Sequence, residues 1–507
     1  MSVNQEAAYR AGPGSAVPDP RRWRALALLA IADFVVILDA TIVNVALPSI
    51  GRGLHASTSD LSWVTSAYIL TFGGLLMLGG RLADLFGRRR LFIGGLVLFG
   101  LASLAGGLST QIGELIAFRA LQGAGAAMLA PAARSIVVTL FEEGPERSRA
   151  LGIWAAVAGS GSVVGLILGG VLTSSLGWRW VLFINVPITL GAAALAPVLI
   201  RESRAETTDR SIDYAGGALV TGGLVAILYA LVHAGNAGWG SAETIGLLGL
   251  GAALLAVFTW VEGKVRSPLV PLRIFRIGQV RGANIAMLMV AAAMVGFFFV
   301  FTLYLQDVLG YSAIKAGMAS VPLGLILIIV AGLSSSVAER LGAKPVLVSG
   351  LAVFTGGVAW MTRISIHSAY LTDILGPILG IGIGLGLVFI ALTIASVSGI
   401  EAEHSGVAGG LINMTQQVGG AIGLAVITAI ITSHVHHYGP GPASFTGGLR
   451  DALIAAALIG AASLAVSAIA LPRRHRDAPT AEIAETAHVS AHDALETHPA
   501  SRHTHPG

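Results

Sequence analysis

The chain has 507 residues, of which 54% are hydrophobic and only 11% charged, with 66 glycines and no cysteine. A soluble protein carries about 25% charged residues, so a soluble fold is excluded, and the missing cysteines rule out disulfides, thiolate metal sites and a cysteine nucleophile. The formal charge of +4 would suggest a nucleic-acid partner in a soluble chain; in an apolar one it predicts basic cytoplasmic loops, and no nucleic-acid partner is expected.

The first twenty residues are polar and rich in Pro and Gly. Arg21, Arg22 and Arg24 then precede a span of full membrane length with no small-residue cleavage site after it, which predicts a cytoplasmic segment (1–22) and a retained first helix. A helix needs roughly 20 apolar residues to cross the hydrocarbon core. Fourteen segments qualify: 25–48, 62–82, 91–108, 113–139, 150–173, 179–200, 214–234, 242–262, 282–305, 315–336, 345–362, 372–396, 405–432 and 450–471. Their connections leave no room for a soluble domain. Placing the N-terminus inside puts Arg88–Arg90, Arg147, Arg149, Arg201, Arg204, Arg210, Lys264, Arg266, Arg273, Arg276, Arg340, Lys344, Arg473, Arg474 and Arg476 inside, against Arg52, Lys315, Arg363 and Arg450 outside. That asymmetry favours an even span count with both termini cytoplasmic. The expected location is a plasma (inner) membrane, with the lipid bilayer as first partner.

In the first span, Asp33 and Asp39 lie near the middle. A carboxylate there costs roughly 2.5–3.5 kcal/mol on the insertion scale and faces a cavity or a partner. The two are about 9 Å apart along the axis and about 120° apart around it, so they need not share that partner. The alternative for either is a buried, satisfied acid. The next turn reads GRLADLFGRRR (80–90), combining Gly80 and Gly87 with Asp84 and the cluster Arg88, Arg89, Arg90. Holding anionic headgroups is the alternative use of that cluster. The fourth span carries RALQGAGAA (119–127); Arg119 and Asp39 both fall in the outer half, within reach of each other, and Gln122 lies one turn below Arg119. A static ion pair is the alternative. The fifth span repeats Gly161, Gly165 and Gly169 at i+4, a smooth face for close helix approach. WRWVLFINVP (178–187) opens the sixth; Trp178 and Trp180 also suit an interfacial belt.

Further on, SSVAERLGAK (335–344) is a degenerate copy of the 80–89 stretch, with Glu339 on Asp84, Gly342 on Gly87 and Lys344 on Arg89. Span 9 carries Phe297, Phe298, Phe299, Phe301 and Tyr304, with Asp307 at its end as a solvated outer acid. Phe298 and Tyr304 are cavity candidates, although lipid-facing packing explains such aromatics as well. Span 13 offers Asn413, Gln416 and Gln417 among glycines, as cavity wall or as interhelical hydrogen bonds. His434, His436 and His437 fall in the last outer loop. The tail (473–507) holds six histidines without hydrophobic periodicity and is read as disordered; their spacing matches no closed zinc site, so no metal is expected.

These features resemble the major facilitator superfamily, specifically its fourteen-span drug/proton antiporter branch of multidrug-exporter type. The resemblance covers about 23–471 and rests on LDATIVNVALP (38–48), the 80–90 loop, RALQGAGAA, GSVVGLILGG (161–170), the Trp-Arg-Trp turn and the displaced repeat copy. It implies an all-α multi-pass fold of 14 transmembrane helices: a six-helix bundle (23–200), two inserted helices with their loops (201–281), a second six-helix bundle (282–471) and the His-rich tail (472–507). It also implies export of bulky amphipathic or cationic compounds in exchange for protons, with no cofactor beyond the proton-motive force, no enzyme activity, and a monomeric state. In its terms Asp39, Asp33 and Arg119 serve proton coupling. Gly80, Asp84, Gly87, Arg88, Arg89 and Glu339 belong to conformational-switch loops, with Asp84 set against the start of span 13 near Ser405–Gly406. Gly161, Gly165 and Gly169 pack helices, and Gln122, Asn413, Gln416, Phe298 and Tyr304 line the substrate cavity. One departure stands out: the fifth-helix motif usually has Gly-Pro where this chain has Gly165-Leu166. Uptake, export of one endogenous metabolite, antibiotic or lipid, or membrane sensing through the His-rich tail are the rival functions.

Overall fold

A computed structural model describes residues 21–141, 145–203, 214–265, 272–397, 405–439 and 441–470, and these contain helices and turns but no strand. In chain order the long helices are α1 (Arg22–Leu54), α2 (Thr58–Phe86), α3 (Arg88–Leu108), α4 (Ile112–Leu140), α5 (Pro145–Ser175), α6 (Trp180–Leu199), α7 (Tyr214–Ala237), α8 (Ala242–Glu262), α9 (Gly278–Leu303), α10 (Ala313–Leu341), α11 (Ala343–Met361), α12 (Leu375–Val397), α13 (Ser405–Tyr438) and α14 (Pro442–Ala470). Among the described residues, 11 helices are long and apolar enough to cross a membrane; α2, α5 and α7 are not in that set, although α5 and α7 contain the shorter apolar stretches Ser160–Ser175 and Ala215–Leu231. The His-rich tail, the 204–213 loop and the 398–404 segment lie outside the described residues.

Local chemistry fixes several helix ends. The Ser57 hydroxyl accepts from Asp60 N–H at 3.2 Å while the Asp60 carboxylate accepts from Ser57 N–H at 2.9 Å, a reciprocal cap that starts α2. Ser241 and Ser312 cap α8 and α10 in the same way from one side. Other ends depart from the sequence reading. The expected end of the first span at Pro48 is not an end: α1 runs through that proline to Leu54. Proline is tolerated there because neighbouring helices cover the backbone it disrupts. The sixth helix is interrupted at Ile184, and a π-turn (Tyr304–Val308) closes the ninth.

The two related loops share one backbone solution. Gly87 joins α2 to α3 with φ 112° and ψ 129°, and Gly342 joins α10 to α11 with φ 88° and ψ 157°. Each is the C-cap of one helix and the N-cap of the next, in a region that is essentially glycine's alone. Their amides close equivalent turns, onto Ala83 O at 3.1 Å and Ala338 O at 2.9 Å. Gly87 has a second constraint, because a Cβ there would lie 2.6 Å from Glu202 Oε1. Gly342→Ala should therefore lower stability by about 1–3 kcal/mol from backbone strain, and Gly87→Ala by more, measured as denaturant midpoints in one detergent.

Glycine also sets helix proximity. On α5, Gly161, Gly165 and Gly169 face α1 at Phe34 O, Thr41 Oγ1 and Ile42 O. Gly79 of α2 sits on the Ala127 carbonyl of α4, and Gly123 of α4 on Tyr68 O and Thr71 of α2. The helices before α7 meet those after α8 at the end bearing the α1–α2 turn. There Gln306 Nε2 donates to Val45 O at 2.8 Å, Arg52 pairs with Asp307 at 3.3 Å, and Ile314 N–H donates to Ser174 Oγ at 3.1 Å. Asp307 is thus half of an interhelix ion pair rather than a lone solvated acid. Helix α7 packs on both α2 and α13, with Thr221 Oγ1 donating to Gly74 O at 3.3 Å. Helix α8 leans on α7 through the facing glycines Gly223 and Gly251.

Candidate functional site

Four helices place polar side chains around Asp39, which is fully buried on α1. Arg119 of α4, also buried, pairs with Asp39 Oδ2 through Nη1. Asp39 Oδ1 accepts from Asn185 Nδ2 of α6 at 2.7 Å and from Gln122 Nε2 of α4 at 3.2 Å. Ser103 Oγ of α3 accepts from both amides, at 3.1 Å from Asn185 and 2.9 Å from Gln122, and donates to Leu182 O at 3.0 Å. Arg119 is held from behind: Nε donates to Val64 O at 3.1 Å, Nη1 donates to Gln122 Oε1 at 2.9 Å, and the guanidinium lies 4.3 Å from the Tyr68 ring centroid.

The electrostatic logic follows from burial. Removing two ions from water costs several kcal/mol each, and their attraction offsets this only with good geometry and further hydrogen bonds. The cluster supplies both: three donors on the carboxylate, and a carbonyl, an amide oxygen and an aromatic face on the guanidinium. Its net charge is zero, and one polar atom, Asn185 Oδ1, is left without a donor.

The structure therefore brings Asp39, Arg119 and Gln122 together. Gln122 is wholly buried in this cluster instead of lining an open cavity. Asp33 stands apart, half-buried on α1, with Arg134 of α4 as its electrostatic neighbour. The remaining candidates are scattered. Asn413 is exposed and Gln416 half-buried on α13. Phe298 packs edge-on against Phe297, and Tyr304 is buried with its hydroxyl donating to Ser365 O at 2.7 Å. Phe297, Phe299 and Phe301 are core residues. Trp178 is buried, while Trp180 is exposed as a belt residue would be. His434, His436 and His437 lie on the last turns of α13, not in a loop, and His434 Nδ1 pairs with Asp451 Oδ2 at 2.7 Å. The side chains of Asp84, Glu339 and Ser405–Gly406 are outside the described residues.

The 80–90 loop has a partner that sequence reasoning missed. Glu202, beyond α6, accepts from Arg89 N–H at 3.1 Å, placing a carboxylate on the first turn of α3. Arg89 Nη1 donates to Ile200 O at 3.2 Å, and Arg88 N–H donates to Ser203 O at 3.0 Å. Ser103, Asn185 and Tyr68 were missed as well. Their only sequence signal is a polar atom within an apolar run.

Among the described residues, a bundle of apolar helices thus encloses a buried Asp39–Arg119 ion pair. The Major Facilitator Superfamily model matches residues 29–424, and the chain belongs to that family. It is 41% identical to a cephamycin export protein of Amycolatopsis lactamdurans, covering 92% of this chain and 95% of that one. It is 40% identical to a puromycin resistance protein of Streptomyces alboniger, over 85% and 87%. A tetracenomycin C resistance and export protein of Streptomyces glaucescens is 35% identical, over 82% and 77%. Among solved structures, a bacterial homologue of the human lysosomal transporter Spinster, inward-facing and unoccupied, superposes with a TM-score of 0.64 at 15% identity, over 89% of this chain and 97% of that one. An auto-inhibited peptide transporter of the POT family gives 0.65 at 17%, over 90% and 99%. Identities this low speak to the fold alone.

Proposed function

We propose that this protein is a proton-coupled exporter of drugs or other amphipathic compounds, working by alternating access. The observation that carries the reading is the Asp39–Arg119 pair, buried and shared among four helices. Relatives that export or give resistance to antibiotics support the direction of transport. In this reading the protein works as a monomer in the inner membrane with fourteen spans and both termini cytoplasmic, and α7 and α8 are the inserted pair between two six-helix bundles. The end joined through Arg52, Asp307 and Ser174 is then the outer end, closed in this conformation.

A proton arriving at Asp39 converts an acceptor into a donor and frees Arg119 from its counter-ion. Asn185 answers by turning its amide over, which offers Oδ1 to the new O–H. Ser103 reorients with it. The guanidinium, no longer neutralised, shifts toward Val64 O and Tyr68, and α1 moves relative to α4. Each charge driven inward supplies about 2.3 kcal/mol per 100 mV, enough for roughly a fifty-fold gradient. No cofactor enters this scheme.

The test uses inverted membrane vesicles. An imposed proton gradient is expected to drive accumulation of a cationic dye, adding substrate should dissipate the gradient, and a protonophore should abolish both. A narrower reading, export of one antibiotic or metabolite, is favoured by the cephamycin relative. It holds if a single compound couples to protons and no dye does.

A further inference from the structure

Helix α6 has a weak point beside the Asp39 cluster. Pro187 carries no N–H for Phe183 O, the bond that would run the helix through. The helix divides at Ile184 into a short first segment (Trp180–Phe183) and a longer second one (Asn185–Leu199). The far end of the second segment is anchored, because Val198 O accepts from Arg21 Nη1 and Ile200 O from Arg89 Nη1, each at 3.2 Å. The first segment rests on α3 over two glycines, Leu182 against Gly106 and Phe183 against Gly107, a smooth contact with no interlocking side chain on the α3 side. Two hydrogen bonds tie it there. Arg179 Nη2 donates to Ser109 O at 3.1 Å through a long side chain, and Ser103 Oγ donates to Leu182 O at 3.0 Å. The second of these is made by a member of the Asp39 cluster.

A serine hydroxyl has one proton and two lone pairs, and at Ser103 all three are engaged. Oγ accepts from Asn185 Nδ2 at 3.1 Å and from Gln122 Nε2 at 2.9 Å, which leaves its proton for Leu182 O. Leu182 and Asn185 stand on opposite sides of the division in α6, so the cluster grips both segments. When Asp39 takes a proton and Asn185 turns its amide over, Oδ1 occupies the place of Nδ2, within hydrogen-bond reach of Ser103 Oγ. Two oxygens then face each other with no proton between them. Ser103 meets this by turning its O–H from Leu182 O to Asn185 Oδ1, and one proton cannot serve both acceptors. We infer that Ser103 is a positioning residue that carries the protonation state of Asp39 to the bend of α6. It holds the first segment on α3 while Asp39 is ionised and lets go when Asp39 is protonated. This rests on the coupling role of Asp39 in the exporter reading and gives that role a mechanical output. Among the described residues, the charged or titratable groups facing Asp39 are Arg119 of α4 and, behind it, Tyr68 of α2. Asp33 lies on the same helix about 9 Å along the axis. Helix α5 meets α1 through glycines, α9 meets it further out through Gln306 and the Arg52–Asp307 pair, and α3 and α6 set neutral groups against the acid.

The chain has no cysteine, so two introduced ones can be spin-labelled cleanly. Leu121→Cys on α4 and Trp180→Cys on the first segment of α6 are both exposed positions. Their separation is read in the full chain in detergent by double electron–electron resonance, at alkaline and at acid pH. The labelled chain should show two distance populations whose ratio changes about fivefold between the two conditions, the size of one net hydrogen bond. Adding Ser103→Ala should give the acid distribution at both pH values, because Leu182 O has lost its donor. Adding Asn185→Leu should give the alkaline distribution at both, because no amide oxygen is left to draw the Ser103 proton away. A merely structural serine predicts neither result. Should Ser103→Ala fail to fold, Asn185→Leu carries the test alone. No pH-dependent change in the labelled chain, a change that persists in Ser103→Ala, or the same distribution in both variants overturns the inference. Proton-driven flux in vesicles without the distance change leaves the exporter reading standing and removes the switch. A Ser103-dependent change without proton-driven flux retains the switch and overturns the exporter reading.

Discussion

Asp39→Asn is expected to bring proton-driven uptake into inverted vesicles down to the level of vesicles lacking the protein. The substitution is isosteric and keeps an oxygen for the Asn185 amide, so helix positions should change little. It removes the only described buried carboxylate paired with Arg119 and leaves that guanidinium in an apolar interior. A guanidinium cannot shed its charge, so the cation persists. Breaking a buried pair on one side costs roughly 3–5 kcal/mol. Here Val64 O, Gln122 Oε1 and the Tyr68 face still hold Arg119, which puts the loss at about 3 kcal/mol, the lower end of that range. Arg119→Met should also abolish coupling, with a smaller loss of stability, because a carboxyl stranded in apolar surroundings can take up a proton and become neutral. Denaturant midpoints for the two variants decide the order. If Arg119→Met is the less stable, the pair is chiefly a structural brace and its role in proton movement falls.

The same pair shows what was legible in the sequence. Asp39 and Arg119 stand out because a charge in a twenty-residue apolar run demands a partner, and opposite chain directions put them at one depth. Gln122 followed from its spacing of three on the same helix. Asn185 and Ser103 carry no such mark. Small neutral polar residues are common in membrane helices as packing elements, and neither periodicity nor charge separates those from members of a network. Glu202 was hidden for another reason: it lies 113 residues from Arg89, on a loop whose path only the fold reveals. Helix order was readable from hydropathy, with 11 described helices long and apolar enough to cross a membrane where fourteen spans were expected, whereas helix ends were not. The first span, read as ending at Pro48, continues as helix to Leu54, because packed neighbours shield the backbone that the proline leaves unpaired. The duplicated loop was visible as a faint alignment of Gly342 on Gly87. The backbone made it plain, since both residues adopt a conformation that only glycine holds without strain.

Gly161→Ala combined with Gly165→Ala should have a large structural effect for a change that adds only two methyl groups. A Cβ at residue 161 would stand 2.8 Å from Phe34 O, which is backbone and cannot turn aside, and one at residue 165 would collide with Thr41 Oγ1. Thr41 has little freedom to yield, because its hydroxyl already donates to Leu38 O at 2.9 Å. Helix α1 must therefore move off α5. Overpacking costs about 1–3 kcal/mol per site, and the displacement is carried along α1, where Asp39 directly follows Leu38 and lies two residues before Thr41. Transport should fall with stability, and it should fall further than stability alone explains, because the acid is moved relative to Arg119. Gly191→Ala on α6 is the matched control. Nothing lies within 4 Å of a Cβ there, so the substitution should be neutral or stabilise by up to about 1 kcal/mol through helix propensity. Thermal unfolding and vesicle flux measured on both variants separate the two effects. If the double alanine variant transports at the level of Gly191→Ala, close contact between α1 and α5 is not required for the cycle. The glycine run would then serve only to let the helices assemble.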